Sequence, residues 1–294
     1  MPVERLGGDA ERAIASVLAQ QTSFAFELIV ISATPLAITS GIEVKNVVET
    51  NRNPATRRNR AASEARGEIL AFIDDDAIAD RDWLATAAAY FDEFPKVVCI
   101  GGPDPAPPDS TMAEMISETL LATPLIGSGI VCHENRPGVF PIRRPSDIAL
   151  VNLLVRRSAF RGFDESVGYI GEDTALIDGL MRAGEVVYHS GVRVFHRRRA
   201  FPGPYLRQRW RYRVKTGQGG IRDNRIYLFL LAGTITILVP PLWLLYFLLT
   251  LILGARATRL PPRYWLALPF AFAAHHLTYY FGILWGRLHA IRTG

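Results

Sequence analysis

Cysteine is almost absent from this chain: Cys99 and Cys132 are the two it has. So few thiols exclude a disulfide-stapled scaffold. Cys99 lies in the apolar run Val97-Val98-Cys99-Ile100, which reads as a buried strand in a reducing compartment. The chain opens without the apolar segment of a secretory signal, so its bulk is expected on the cytoplasmic side of a membrane. Internal repeats and low-complexity tracts are also missing, which excludes solenoid and array architectures. Acids and lysines are absent from two apolar blocks, residues 226–253 and 264–285. That lack disfavours a transporter or channel subunit, whose pathway needs charge inside the membrane, and leaves His275 and His276 as the imidazoles within these blocks.

What is present is unevenly distributed. Apolar residues make up 49% of the 294, with a mean hydropathy of +0.13, and the excess is concentrated after Arg225. The block 226–253 is long enough to span a bilayer, although Pro240-Pro241 makes it either one kinked span or a broken hairpin. The block 264–285 carries Trp and Tyr at its ends, like interfacial anchors. Both are expected to be transmembrane helices, in a membrane region over 226–290. Just before them, residues 193–225 hold eleven Arg or Lys and one acid, a local charge of +10 within a net charge of +5. Such a block is the usual cytoplasmic flank of a membrane anchor. Nucleic-acid binding is its competing reading, but the position favours lipid headgroups or phosphates, and no nucleic-acid partner is expected.

Upstream of the basic block, strand and helix patterns alternate. Helices are expected over 11–22, 54–66, 82–94 and 173–183. Strands are expected over 27–31, 44–48, 68–73, 97–100, 149–155, 185–188 and 192–195. Residues 103–145 read as one long loop rich in Pro, Gly and charge. The alternation argues for an α/β domain with a mainly parallel central sheet.

Three features in that domain carry chemistry. The apolar strand Ile69-Leu70-Ala71-Phe72-Ile73 runs directly into Asp74-Asp75-Asp76. This puts carboxylates at the carboxyl edge of a sheet, where open α/β folds bind ligands, and hard oxygen donors suit Mg2+ or Mn2+. An acidic turn that caps the next helix is the alternative. Gly171-Glu172-Asp173 follows at a helix start, where acids also favour the helix dipole. His196-Arg197-Arg198-Arg199 then closes a strand; Arg forks match phosphates and His is a metal ligand, though a solvated basic turn has the same composition.

The order of these features resembles the family 2 glycosyltransferases. The stretch ATRRNRAASEARGEILAFIDDDAIADRDWL, beginning at Ala55, resembles their donor-binding half, and FRGFDESVGYIGEDTALIDGLMRAG their acceptor half. Leu18-Ala19-Gln20, Val151-Asn152-Leu153 and the closing HHLTYYFGILWGR are similar to members with a C-terminal membrane region. The resemblance implies a GT-A nucleotide-sugar-binding fold over residues 1–200, with a donor half of about 1–102 and an acceptor half of about 103–200. A basic membrane-proximal segment over 201–225 would follow.

It also implies roles. Asp74 would lie near the ribose of a nucleotide-diphosphate sugar, and Asp76 on the Mn2+ or Mg2+ that bridges the diphosphate, with Asp74 beside it. His196 would complete the metal site, and Arg197, Arg198 and Arg199 would attend the diphosphate. Arg58 and Asn59 would line the nucleotide pocket. Asp173, with Glu172 beside it, would be the general base of an inverting transfer. The chain would be a membrane-anchored, multi-pass transferase of the inner (plasma) membrane with its catalytic domain cytoplasmic. It would move a sugar to a lipid-linked or other membrane-proximal glycan acceptor in envelope or exopolysaccharide assembly. Transfer to a polyprenyl monophosphate is the nearer rival, and a non-enzymatic membrane scaffold of the same fold the more distant one. Where the family carries an aspartate after its second strand, this chain has Ser32-Ala33-Thr34, and its usual opening strand is reduced to Pro2-Val3-Glu4-Arg5. Gln208-Arg209-Trp210 lacks the spacing found in processive synthases, which implies addition of a single sugar.

Overall fold

The computed structural model describes residues 1–38, 42–167, 171–219 and 224–293. Three stretches of the sequence reading therefore lie outside the described residues: Gly168-Tyr169-Ile170 of the acceptor-half motif, Arg222 and Asp223 of the basic block, and the side chain of Arg225. The chain forms two compact units, one of Met1–Pro107 with Ile130–Arg197, the other of Pro108–Gly129 with Arg198–Gly294. Residues 108–129 thus belong with the C-terminal helices.

In the first unit, the helix α1 (Gly8–Leu18) buries Ala10, Ala13, Ile14 and Val17 on one face, the spacing expected of an amphipathic helix. The strands β1 (Leu28–Ser32) and β2 (Val44–Val48) pair in parallel. Residues 1–3 add a short extended segment beside β1, with Ile31 N–H donating to the Met1 carbonyl and Val3 N–H to Ile31. The helix α2 (Pro54–Glu64) starts where Asn53 accepts from the Ala55 N–H and Pro54 sits at the first helical position. Then follow β3 (Ile69–Ile73), β4 (Ala77–Ala79), α3 (Trp83–Glu93) and β5 (Val97–Gly101).

The expected long loop is corrected here. Residues 103–145 contain α4 (Met112–Ala122), the short helix α5 (Val131–Glu134) and β6 (Val139–Pro141). The chain returns through β7 (Asn152–Arg156), α6 (Glu172–Ala183), β8 (Glu185–His189) and β9 (Val194–His196). The main sheet has the order β3-β7-β5-β8-β6 and is mixed rather than mainly parallel: only β5 and β8 pair in parallel within it. The reason lies in β7, which inserts antiparallel between β3 and β5 after the long excursion. At the sheet's carboxyl edge Asn152 is a buried hub. It accepts from the Trp83 indole at 2.9 Å and donates to the carbonyls of Pro103 and Val192 at 3.1 and 2.7 Å. Gly102 is obligatory in the same place, because a Cβ there would lie 1.7 Å from the Val192 carbonyl oxygen.

The second unit is helical. Thr111 and Glu114 form a capping box that starts α4. The basic segment is mostly a helix, α7 (Gly203–Gln218), followed by α8 (Asn224–Leu238), α9 (Pro241–Ala257) and α10 (Leu268–Thr293). The helices α7 and α10 cross closely through glycines: a Cβ at Gly286 would meet the Val214 carbonyl oxygen at 2.1 Å, and one at Gly217 that of Ile283 at 2.2 Å. Leu120, Leu121, Tyr205, Leu268 and Phe272 form the core. His275 and His276 serve packing, bonded to the hydroxyls of Tyr205 and Tyr246 at 2.7 and 2.8 Å.

The expectation of transmembrane helices is not met. Among the described residues, no helix is long and apolar enough to cross a membrane. The first block breaks at Pro240-Pro241 into helices of 15 and 17 residues, and the second is interrupted by His275, His276, Thr278, Tyr279 and Tyr280. At 1.5 Å per residue the two halves reach about 22 and 26 Å, against roughly 30 Å of hydrocarbon. Their outward faces are nonetheless apolar, with Leu228, Leu231, Leu238, Trp243, Leu244 and Leu245 all more than half exposed.

Candidate active site

The strand β3 is apolar to its end, and the chain then turns so that Ala77 N–H bonds the Asp74 carbonyl. This turn presents three successive carboxylates at the edge of the sheet. Burial pushes the Asp75 carboxyl above its ordinary range, and the charges of Asp76 and Asp74 add to the rise, while the Glu4 N–H at 3.3 Å partly offsets it. Carboxylates that raise one another's proton affinity are a site that a cation would relieve.

Arg58 supplies one fixed positive charge. It projects from α2, is buried, and forks between Asp74 at 2.9 Å and Glu172 of α6 at 3.4 Å. A single guanidinium therefore ties the acidic turn after β3 to the start of α6, a hundred residues later in sequence. Burial raises the Glu172 carboxyl above its ordinary range, and the Asp173 charge adds to this, while Arg58 counters it. Asp173 is half-buried, one residue into the same helix, where one of its oxygens accepts from the Thr174 N–H at 2.7 Å. Gly171 makes this start possible, since its φ of +100° belongs to the left-handed region that side chains avoid.

His196 closes the site from the end of β9. Its Nε2 lies 3.3 Å from Asp76 and its Nδ1 3.7 Å from the buried Asp104. The Arg197 N–H also donates to the Asp76 carbonyl at 3.3 Å. The carboxylate of Asp76 and the imidazole of His196 are donor types that a divalent ion such as Mn2+ or Mg2+ accepts, whereas Asp74 is engaged by Arg58.

The other sequence-predicted residues divide. Asn59 spends its side chain on the backbone of Phe163, at 2.9 and 2.7 Å, and on Glu165. Arg198 is buried and bonds Glu118 at 2.6 Å within the helical unit, where the Arg199 carbonyl also accepts from Ser117. Arg197 pairs with Asp9 at 3.5 Å. The sequence reading assigned no site role to Asp104, Cys132 and His133, which the fold brings together. The adjacent Cys-His pair at 132–133 was the available signal.

Part of the chain matches a known family, and its fold has solved counterparts. The family model described as "Glycosyl transferase family 2" matches residues 7–117. Among solved structures, the chain is similar to the mannosyltransferase PcManGT from Pyrobaculum calidifontis in complex with GDP-Man and Mn2+. The identity is 19%, the TM-score 0.52, and 95% of this chain and 85% of that one are covered. It is also similar to GalNAc-T7 with UDP, GalNAc and Mn2+, at 14% identity and a TM-score of 0.50, over 74% of this chain and 49% of that one. At these identities the likeness is one of fold. A curated relative, the glucosyl-dolichyl phosphate glucuronosyltransferase of Haloferax volcanii, is 35% identical over 54 residues. That match spans 18% of this chain and 17% of the relative's length.

Proposed function

We propose that the chain is a family 2 glycosyltransferase of GT-A-like fold that transfers one sugar, with inversion, from a nucleotide-diphosphate sugar to a lipid-linked or membrane-proximal glycan acceptor. The observation that carries this reading is the convergence of Asp74, Asp76, Arg58, Glu172 and His196 at one sheet edge. Asp74, Asp76 and His196 would hold Mn2+ or Mg2+, which supplies charge neutralisation for a departing diphosphate. Asp74, kept in place by Arg58, orients the ribose side of the donor. Glu172 fixes Arg58 from the opposite side. Asp173 is the general base that takes the proton of the acceptor hydroxyl as it attacks the anomeric carbon. Arg197 serves the diphosphate.

The apolar outward faces of α8 and α9 and the basic helix α7 support work at the cytoplasmic face of a membrane, with lipid as a partner. A lipid-linked acceptor is further supported by the Haloferax volcanii relative, which is named for glucosyl-dolichyl phosphate. The test is donor turnover in the full chain with Mn2+. UDP- and GDP-sugars should be hydrolysed slowly without acceptor, and Asp76→Asn should weaken metal-supported UDP or GDP binding tenfold or more, about 1.4 kcal/mol. Equal binding with a chelator present would refute the metal-dependent reading, and absence of any turnover would favour a scaffold.

A further inference from the structure

Behind His196, on the side away from Asp76, lies a group of side chains that sugar transfer does not require. Asp104 follows β5, and its side chain is only 1% exposed. The short helix α5 brings Cys132 and His133 to it, with the Asp104 N–H bonded to the Cys132 carbonyl at 3.3 Å. His133 Nδ1 lies 2.8 Å from Asp104 Oδ1 and 3.7 Å from Cys132 Sγ. One ligand atom from each of the three falls within 4.8 Å of the others. A carboxylate withdrawn this far from water needs hydrogen bonds or positive charge to compensate it, and the His133 imidazole already faces it at 2.8 Å. A thiol and an imidazole aimed at the same point complete a mixed O, N and S donor set.

We propose that Asp104, Cys132 and His133 form a second divalent-cation site, selective for a thiophilic ion of the Zn2+ class, next to the Asp74–Asp76 carboxylates and distinct from them. The donors argue for this selectivity. Thiolate and imidazole favour Zn2+, whereas Mg2+ and Mn2+ prefer carboxylate, carbonyl and water. Three protein ligands leave one tetrahedral position open, and His196 lies beside the group, with its Nδ1 3.7 Å from Asp104. The site is thus placed to fix the orientation of the imidazole whose other nitrogen faces Asp76. Binding would displace the thiol proton of Cys132, so uptake of the ion should release protons. Cys99 supplies the internal contrast. It is equally buried, but among the described residues it joins no such group of ligand side chains. The proposal stands independently of the transferase reading.

The experiment uses Co2+ as an optical probe on the full, reduced chain without nucleotide. One equivalent should produce a near-ultraviolet thiolate-to-cobalt absorption that Zn2+ abolishes by competition and Mg2+ does not. The band should vanish in Cys132→Ser and persist in Cys99→Ala and Asp76→Asn. If Cys132→Ser fails to fold, His133→Ala, at a partly exposed position, should lower Co2+ affinity at least tenfold while leaving the circular dichroism spectrum unchanged. No thiolate band in the wild-type chain would overturn the proposal, as would a band that survives Cys132→Ser. A band lost in Asp76→Asn would mean a single shared site and would equally refute it.

Discussion

Replacing Arg58 by Met removes a buried charge that joins the acidic turn to α6. At 3.4 Å from Glu172, and with an effective dielectric constant of about 20, the gross attraction is about 5 kcal/mol, part of which desolvation offsets. The Asp74 side chain is 31% exposed, so solvent screens that arm and its loss costs only about 0.5–1 kcal/mol. The Glu172 side chain is 10% exposed and would be left as an uncompensated buried carboxylate, the situation that costs roughly 3–5 kcal/mol. Together these give an expected loss of about 3 kcal/mol, somewhat below the sum because Glu172 can take up a proton. Amide hydrogen exchange in β3 and β7 reads this in the unit that holds the site. Protection there should fall by about two orders of magnitude. The sign with pH follows from the raised Glu172 carboxyl. A raised acid stabilises the fold below its unfolded pKa and loses that contribution as pH rises through the folded value. Removing Arg58 raises it further, so the penalty should be larger at pH 7 than at about pH 5. Adding Glu172→Gln to Arg58→Met should restore 1 kcal/mol or more. A loss below about 1 kcal/mol, or no recovery on adding Glu172→Gln, would refute the network as described.

Asp173→Asn should bind donor normally while transfer falls by roughly 10²–10⁴, and near-wild-type rates in a radiolabelled-sugar assay would return Asp173 to a helix-terminal charge. Gly286→Val should force α7 and α10 apart and cost about 1–3 kcal/mol or more, because even its Cβ would lie 2.1 Å from the Val214 carbonyl; an unchanged melting temperature would contradict that crossing. Within α7, Arg207 and Arg211 are exposed, whereas Arg213 lies 3.8 Å from the Tyr279 ring centre and Arg209 4.9 Å from that of Tyr212. Neutralising Arg207 and Arg211 should therefore weaken binding to anionic vesicles by about 1 kcal/mol each at low salt, while neutralising Arg209 and Arg213 should lower stability first. Flotation and thermal unfolding separate the two outcomes.

Much of the first unit was legible because its signals are local. Asn53-Pro54 announces α2, and five apolar residues before Asp74 announce β3 and the edge where it stops. What escaped was set by tertiary structure. The antiparallel insertion of β7 depends on where a fifty-residue excursion returns, which no periodicity records. The helix α4 was hidden by the Pro-rich run before it, although Thr111 and Glu114 are a capping box and Ile116, Leu120 and Leu121 follow at helical spacing. At the edge of the sheet, the acids and His196 were readable as motifs. Arg58 could be named but not its bridging role, since both of its partners come from elsewhere in the chain. The arginines after His196 looked alike in sequence, yet Arg197 remains with the first unit while Arg198 is buried against Glu118 in the second. Composition could not distinguish them.

The assignment of residues 108–129 to the helical unit has a consequence for synthesis. Leu120 and Leu121 of α4 bury themselves against Leu268 and Phe272 of α10, about 150 residues later. At a ribosomal rate of roughly 5–20 residues per second, α4 must wait about 8–30 s for its partner. During that interval its apolar face has only part of its cover, first from Tyr205 and then from α9, while the strands on either side of it, β5 and β7, are already able to pair. Nascent chains stalled anywhere before α10 should therefore recruit chaperone or membrane at α4. Deleting the C-terminal helices would extend this exposure indefinitely, so a shortened chain would fail first at a helix far upstream of the cut.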